Sequence, residues 1–287
     1  MPTLHALAPA KINVFLRIVG RRSDGYHFLD SLMIPISLYD EVQVTVETAK
    51  QKTEGGASRL VLTCDDPTVP NDTTNLAYKA AALLLEEAAM QVTASVHLKK
   101  KIPAGAGLGG GSSDAAAVLK SLNALLQLGF SEERLCRLGA RLGADVPFFI
   151  PCRSARVTGI GEIVTPVPPL SRRWLVLVAP FFAVSTPWAY QRFDELPTAS
   201  VPASFALEPG VWPSSALLVN DLERAVLPEH PQIAAIKSTL LNSAADGALM
   251  SGSGSSVFGI FQDRAVAINA MAVLQEQGRV FLVEPLH

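Results

Sequence analysis

At 287 residues, 49% of them hydrophobic, the chain holds enough apolar material for two ordinary cores. A formal net charge of −2 without a polybasic run excludes nucleic acid or an anionic membrane as the main partner. Cys64, Cys136 and Cys152 lack metal-ligand spacing and cannot all pair, no apolar run reaches the ~18 residues of a membrane span, and the first fifteen residues carry no secretory pattern, so a soluble cytoplasmic protein is expected.

The first element is a strand over 8–18. Ala10, Ile12, Val14, Leu16 and Ile18 alternate on one face and leave Lys11, Asn13 and Arg17 on the other, with Phe15 between them. A lysine and an asparagine two apart on one face can address the same ligand; a solvated strand face would carry the same pattern. Asp24-Gly25 signals a reversal that sets Tyr26 and His27 beside the end of this strand, where a phenol ring and an imidazole suit either a nucleobase or partly buried framework. Val42, Val44 and Val46 mark another strand, Lys50 to Ser58 a polar loop, and Leu60 to Leu62 a short strand. A helix is predicted from Thr73-Thr74 to about Met90, with Leu76, Ala80, Leu83 and Leu84 inward and Asn75 in its first turn, where it caps or meets a nucleotide.

The centre of the chain is the run Pro103-Ala104-Gly105-Ala106-Gly107-Leu108-Gly109-Gly110-Gly111-Ser112-Ser113. A strand alternating Val92, Ala94, Val96 and Leu98 leads into it through Lys100, and a helix carrying Ala115, Val118, Leu119 and Leu122 leaves it, with Ser112 or Ser113 as N-cap and Gly129 as stop. Strand, glycine loop and helix N-terminus in that order leave many amide N–H groups unsatisfied, and the macrodipole adds roughly half a positive charge beside them. Phosphate is the expected guest. The dinucleotide, Walker and protein-kinase signatures are each incomplete around it.

A helix capped by Ser131 ends at Gly143 and leads to Asp145, which Pro147 isolates from regular structure. A carboxylate among apolar neighbours must find a cationic partner or be neutralised, and Lys11 is the candidate partner. Beyond Gly161 the expected elements are a buried strand at Leu175 to Val178, a helix opening at Ser185-Thr186-Pro187, an irregular proline-rich stretch over 196–214, helices over 219–227 and 232–241, two strands within 247–261 around Gly252-Ser253-Gly254, a helix over 264–277 and a final strand over 280–283. Strands and helices mixed in this way give an α+β protein.

Three stretches in this order resemble the GHMP kinase superfamily: the strand with Lys11, the loop from Pro103 to Ala117, and Met250 to Ser256. The Asp24-Gly25-Tyr26-His27 and Gly143-Ala144-Asp145-Val146-Pro147 segments point to one branch of it. The resemblance implies a two-lobed GHMP kinase fold, with an N-terminal lobe over 1–160 like ribosomal protein S5 domain 2, a ferredoxin-like C-terminal lobe over 161–287, and the active site between them. It implies ATP as co-substrate, Mg²⁺, and a small-molecule acceptor bearing a CDP group, phosphorylated on the 2-hydroxyl of its methylerythritol moiety in isoprenoid precursor synthesis. By position, Asp145 would be the base and Lys11 its partner. The 103–113 loop would hold the ATP phosphates, with Lys100 and Asn75 near the nucleotide. Asn13, Tyr26, His27, Ser185 and Thr186 would meet the acceptor.

Two departures stand out. Phe181-Phe182 follows Pro180 where the superfamily has glycine, and Gly110-Gly111 stands where other members place a metal-binding serine, so metal ligands remain unassigned. A kinase for another small alcohol and a non-catalytic nucleotide-binding module are the competing expectations.

Overall fold

The computed structural model describes residues 1–51, 58–197 and 210–286. Most of the 50–58 loop and of the 196–214 stretch lies outside them. The first half of the chain contains β1 (Thr3–Arg21), β2 (His27–Gln51), β3 (Arg59–Cys64), α1 (Leu76–Glu87), β4 (Met90–Lys99), α2 (Gly110–Leu125), α3 (Glu132–Ala140) and α4 (Val146–Phe149). There follow β5 (Ala155–Gly159), β6 (Ile163–Pro166), β7 (Trp174–Ala179), α5 (Thr186–Asp194), α6 (Glu223–Val226), α7 (Pro231–Asn242), β8 (Gly247–Met250), β9 (Val257–Phe261), α8 (Arg264–Ala272) and β10 (Arg279–Val283). No helix among the described residues is long and apolar enough to cross a membrane.

The chain divides into two compact units that interleave in sequence. One comprises 1–10, 39–102 and 109–152; the other comprises 11–38, 103–108 and 153–287. The strands β1 and β2 and the glycine loop each contribute to both.

In the first unit β4 lies between β2, antiparallel, and β3, parallel. The valines set the register: Val42 faces Leu98 and Val44 faces Val96, all buried. The helices α1 and α2 pack on each other, and α3 and α4 pack on α2. The inward faces read from sequence hold here: Ala80, Leu84, Val118, Leu119 and Leu122 are buried. Asn75 caps α1 by accepting from the Ala77 N–H at 2.8 Å, and Ser131 caps α3.

In the second unit β5 pairs with the start of β2 and with β6. A four-stranded antiparallel sheet of order β10-β7-β9-β8 carries α7 and α8. Its apolar core joins Val176, Val178, Val257 and Phe261 to Ile233, Ile236 and Leu240 of α7, Ala267 and Ala270 of α8, and Leu16 of β1.

Several local expectations are corrected. The helix α2 takes no serine cap; it begins at Gly110 behind Gly109, which adopts a left-handed conformation (φ 71°) that a serine there would resist. Pro147 does not end regular structure but occupies the first turn of α4, where its missing N–H is harmless. The 219–227 helix shrinks to Glu223–Val226, because Val219 and Asn220 run extended to bond Leu16. The 264–277 helix stops at Ala272, with a separate 3-10 turn over Gln275–Gln277. Strands β5 and β6, too short for a periodic signal, escape the sequence reading.

Candidate active site

The face of β1 bearing Lys11 and Asn13 is not solvated; both residues are 4% exposed. Two glycine-rich segments of the same unit close over it. The Lys11 N–H donates to Leu108 O at 3.0 Å, the Asn13 N–H reaches Ser251 Oγ at 3.4 Å, and Ser251 Oγ donates to Gly107 O at 3.0 Å. The Ser256 N–H adds a bond to Ala106 O at 3.2 Å. Strand, glycine loop and late turn, which span more than two hundred residues of the chain, thus meet within a single unit.

Glycine is required where they touch. A Cβ on Gly107 (φ +76°) would overlap the Ser251 carbonyl, and one on Gly252 (φ +57°) would lie 3.1 Å from Gly107 O and 3.2 Å from Lys11 Nζ. The Lys11 ammonium therefore sits beside the Gly252 backbone, in space that a side chain at Gly252 would take. Its Nζ donates to Asn13 Oδ1 at 2.6 Å.

A buried amide holds the late turn. Asn220, 2% exposed, donates through Nδ2 to Met250 O at 2.8 Å and Gly252 O at 2.7 Å, and accepts from the Leu222 N–H at 3.0 Å. Glu223 accepts from the Met250 N–H and is neutralised by Lys237 at 2.6 Å. Asp221 accepts from the Ile18 N–H at 2.8 Å, tying this segment to β1. The sequence reading missed Asn220, because it placed the residue at the start of a helix over 219–227, where an asparagine reads as exposed.

Residues 109–113 of the loop belong to the other unit and form the N-terminus of α2. The start of α1 lies beside it: a Cβ on Gly111 would be 3.8 Å from Leu76 Cδ1. The N-termini of the two helices thus adjoin, that of α1 capped by Asn75, whose Nδ2 also donates to Pro70 O. The Ser113 hydroxyl is buried and without a hydrogen-bond partner.

Lys100 turns inward, to Asp40 and, at 2.6 Å, to Asp114. Asp40 Oδ1 also accepts from the Lys101 and Ile102 N–H groups. Two buried carboxylates share one ammonium here. Burial foremost, and the neighbouring Asp40 charge, push the Asp114 carboxyl up to about 7 against the pull of Lys100. This cluster pins the strand entering the loop to the helix leaving it; neither carboxylate had drawn notice in the sequence.

Asp145 is half-buried at the N-cap position of α4, without a side-chain cap bond. The far end of that helix is fixed by Lys120, whose Nζ donates to Phe149 O and Ile150 O at 3.0 and 3.3 Å.

On the remaining side of the second unit, Gly25 turns the chain and the Arg22 N–H bonds Tyr26 O at 2.7 Å, which leaves the Tyr26 side chain 60% exposed. His27 stacks on Tyr190 of α5 with centroids 5.0 Å apart, and its Nε2 meets Asp194 Oδ1 at 2.6 Å. Ser185 is spent as the N-cap of α5, while Thr186 Oγ1 bonds Ser253 Oγ at 2.8 Å in the late turn. Among the described residues no cluster of three or more His, Cys, Asp or Glu side chains is arranged to hold a metal.

A glycine loop bonded to a buried strand lysine, on an α+β scaffold of two units, suits a phosphate-handling class of enzyme, and comparison with known proteins gives it a name. Residues 75–152 match the GHMP kinases N terminal domain, and residues 213–280 match the GHMP kinases C terminal domain. The chain belongs to the GHMP kinase family. Within it the chain is 42% identical to the 4-diphosphocytidyl-2-C-methyl-D-erythritol kinase of Geobacter sp. (strain M21), over 96% of each chain. It is 43% identical to the protein of the same name from Syntrophotalea carbinolica, over 98% of each. A solved 4-(cytidine 5'-diphospho)-2C-methyl-D-erythritol kinase superposes with a TM-score of 0.76 at 34% identity, covering 99% of this chain and 100% of the other. The homoserine kinase of Cytophaga hutchinsonii (TM-score 0.73, 18% identity, 98% of this chain and 94% of the other) shares the fold.

Proposed function

We propose that this chain transfers the γ-phosphoryl group of ATP to the 2-hydroxyl of 4-diphosphocytidyl-2-C-methyl-D-erythritol, in the cytoplasm, as a step of isoprenoid precursor synthesis. The observation that carries the reading is the burial of Lys11 where the glycine loop and the late turn meet: its N–H donates to Leu108 O, and a Cβ on Gly252 would lie 3.2 Å from its Nζ. The names of relatives at 42–43% identity over nearly the whole chain supply the acceptor.

In this reading the 103–113 loop binds the triphosphate through backbone amides, and the adjoining starts of α1 and α2 add their dipoles. Asn75 and Lys100 act by holding the two flanks of that loop. Asp145 accepts the proton of the acceptor hydroxyl as the oxygen attacks the γ-phosphorus and the bond to the β-phosphate oxygen breaks. ADP leaves, and the proton passes from Asp145 to water. Lys11 compensates the charge that develops on the attacking and transferring oxygens, an interaction that counts most in the transition state. Asn13, with Thr186 behind the late turn and Ser185 fixing the start of α5, orients the acceptor. Tyr26 and His27 receive its cytosine, with the imidazole held by Asp194 and Tyr190. By residue position, the lobe over 1–160 would hold the nucleotide contacts together with Asn13, Tyr26 and His27, and the lobe over 161–287 would add Ser185 and Thr186. Magnesium would supply further charge compensation at the transferring phosphoryl group, and one or two protein carboxylates would suffice to hold it beside the triphosphate.

The test is ADP release with the CDP-linked acceptor against a panel of small alcohols, among them homoserine and mevalonate. Turnover with the CDP-linked alcohol at least 10³-fold above the others is expected. Equal turnover with an alcohol lacking a nucleoside would overturn the acceptor assignment, and ATP binding without ADP release would overturn the catalytic one.

A further inference from the structure

The polar groups around Lys11 form a chain whose direction is fixed by chemistry. Lys11 Nζ meets the Asn13 amide at 2.6 Å, the other end of that amide meets Ser31 Oγ at 2.8 Å, and Ser31 Oγ meets Phe15 O at 2.6 Å. An ammonium only donates, so the Asn13 atom facing it must be the oxygen. The amide nitrogen then faces Ser31 and must donate to it. A backbone carbonyl only accepts, so the single proton of the Ser31 hydroxyl goes to Phe15 O, and its lone pair receives Asn13. No other arrangement of protons satisfies all four groups. The three side chains are 4%, 4% and 2% exposed, so water does not offer a substitute.

From this we infer that Ser31 is a positioning residue for phosphoryl transfer: its hydroxyl locks the Asn13 amide with the oxygen toward Lys11, and so holds the ammonium beside Gly252. Ser31 sits on β2, opposite Val157 of β5. A serine inside a strand carries no sequence signal of its own. Without the hydroxyl, one Asn13 N–H is buried with no acceptor, the amide loses the bond that fixes its rotation, and the oxygen facing Lys11 is held less firmly.

The inference rests on Lys11 acting at the transferring phosphate, and the experiment separates the two. Steady-state kcat and KM for ATP are measured for S31A, S31T, S31C and, in parallel, K11A, with thermal melting of each. S31A is expected to lose about 10-fold in kcat, the scale of a small displacement of a catalytic group, with the KM for ATP within about twofold of the original. S31T, which keeps a hydroxyl on a β-branched side chain suited to a strand, recovers most of the loss, and S31C, nearly isosteric with a weaker acceptor, falls between. In nitrogen-labelled protein the Asn13 side-chain amide protons move upfield in S31A, a readout independent of turnover. An S31A enzyme with the original kcat, or one whose deficit equals its loss of folded protein and is not recovered by S31T or S31C, overturns the role of Ser31. Full activity in K11A overturns instead the role of Lys11, whatever Ser31 does.

Discussion

Ser251 Oγ donates to Gly107 O at 3.0 Å, joining the late glycine turn to the 103–113 glycine loop across 144 residues of sequence. The bond matters because both partners also border Lys11: Ser251 accepts from the Asn13 N–H, and Gly107 lies under the space that Gly252 leaves open. Loop, turn and lysine therefore shift together or not at all.

Gly107→Ala is accordingly severe. The new methyl overlaps the Ser251 carbonyl at a φ of +76°, so strain and overlap add, and a loss of about 3 kcal/mol or more is expected together with lost ATP affinity. Gly129→Ala is the control: its φ is +66°, but nothing lies within 4 Å of the added carbon. Only the left-handed penalty of about 1–2 kcal/mol applies there, with ATP affinity intact. Chemical denaturation of the two variants checks the contrast; equal losses would contradict it.

Asn220→Ala strips hydrogen bonds from Met250 O, Gly252 O and the Leu222 N–H in a buried place. A cost of about 2–4 kcal/mol is expected from groups left unsatisfied. Asn220→Asp should do no better than alanine, because a carboxylate cannot donate to two carbonyls and repels them. Melting curves that rank aspartate close to the original protein would refute this account of the turn.

The Asp40, Lys100 and Asp114 cluster makes a pH prediction. Asp114 is raised from an ordinary carboxylate value to about 7, so the folded chain holds its proton more tightly than the unfolded chain does. The stabilisation this gives is complete below about pH 4 and is lost as pH rises toward 7. Asp114→Asn lacks the titration. The difference in melting temperature between variant and original protein should therefore move in the variant's favour from pH 4 to 7 and level off above. A difference independent of pH would show that Asp114 stays ionised throughout.

Asp194→Ala removes the carboxylate that holds the ring of His27 at 2.6 Å. If the imidazole receives the cytosine, the KM for the CDP-linked acceptor rises about 10-fold while the KM for ATP stays within twofold, the pattern of lost ground-state binding. Kinetics in which both constants rise equally would place His27 elsewhere in the reaction.

Much of this molecule is legible in its sequence, for identifiable reasons. The glycine loop stands out because five glycines in seven residues serve few other ends, and α1, α3 and α5 announce themselves through Asn75, Ser131 and Ser185 at their caps. What escapes is structure made by distant partners. Lys11 and Asn13 alternate like a solvated face, and only the arrival of Gly107 and Ser251 buries them. Asp40 and Asp114 look like ordinary surface acids until Lys100 is seen between them. Ser31 and Asn220 hold backbone or amide groups set by folding, so no spacing betrays them. Pro147, read as a terminator, begins a helix, since proline permits the first turn as readily as it forbids later ones.

The central claim is that Asp145 takes the proton of the acceptor hydroxyl while Lys11 compensates the charge developing beside it. The most direct measurement is kcat for Asp145→Asn, with folding checked by melting and ATP binding checked by calorimetry. The asparagine is nearly isosteric but cannot accept a proton at neutral pH, so turnover should fall by roughly 10²-fold or more while ATP still binds. A folded, ATP-binding Asp145→Asn enzyme with near-original turnover would contradict the mechanism.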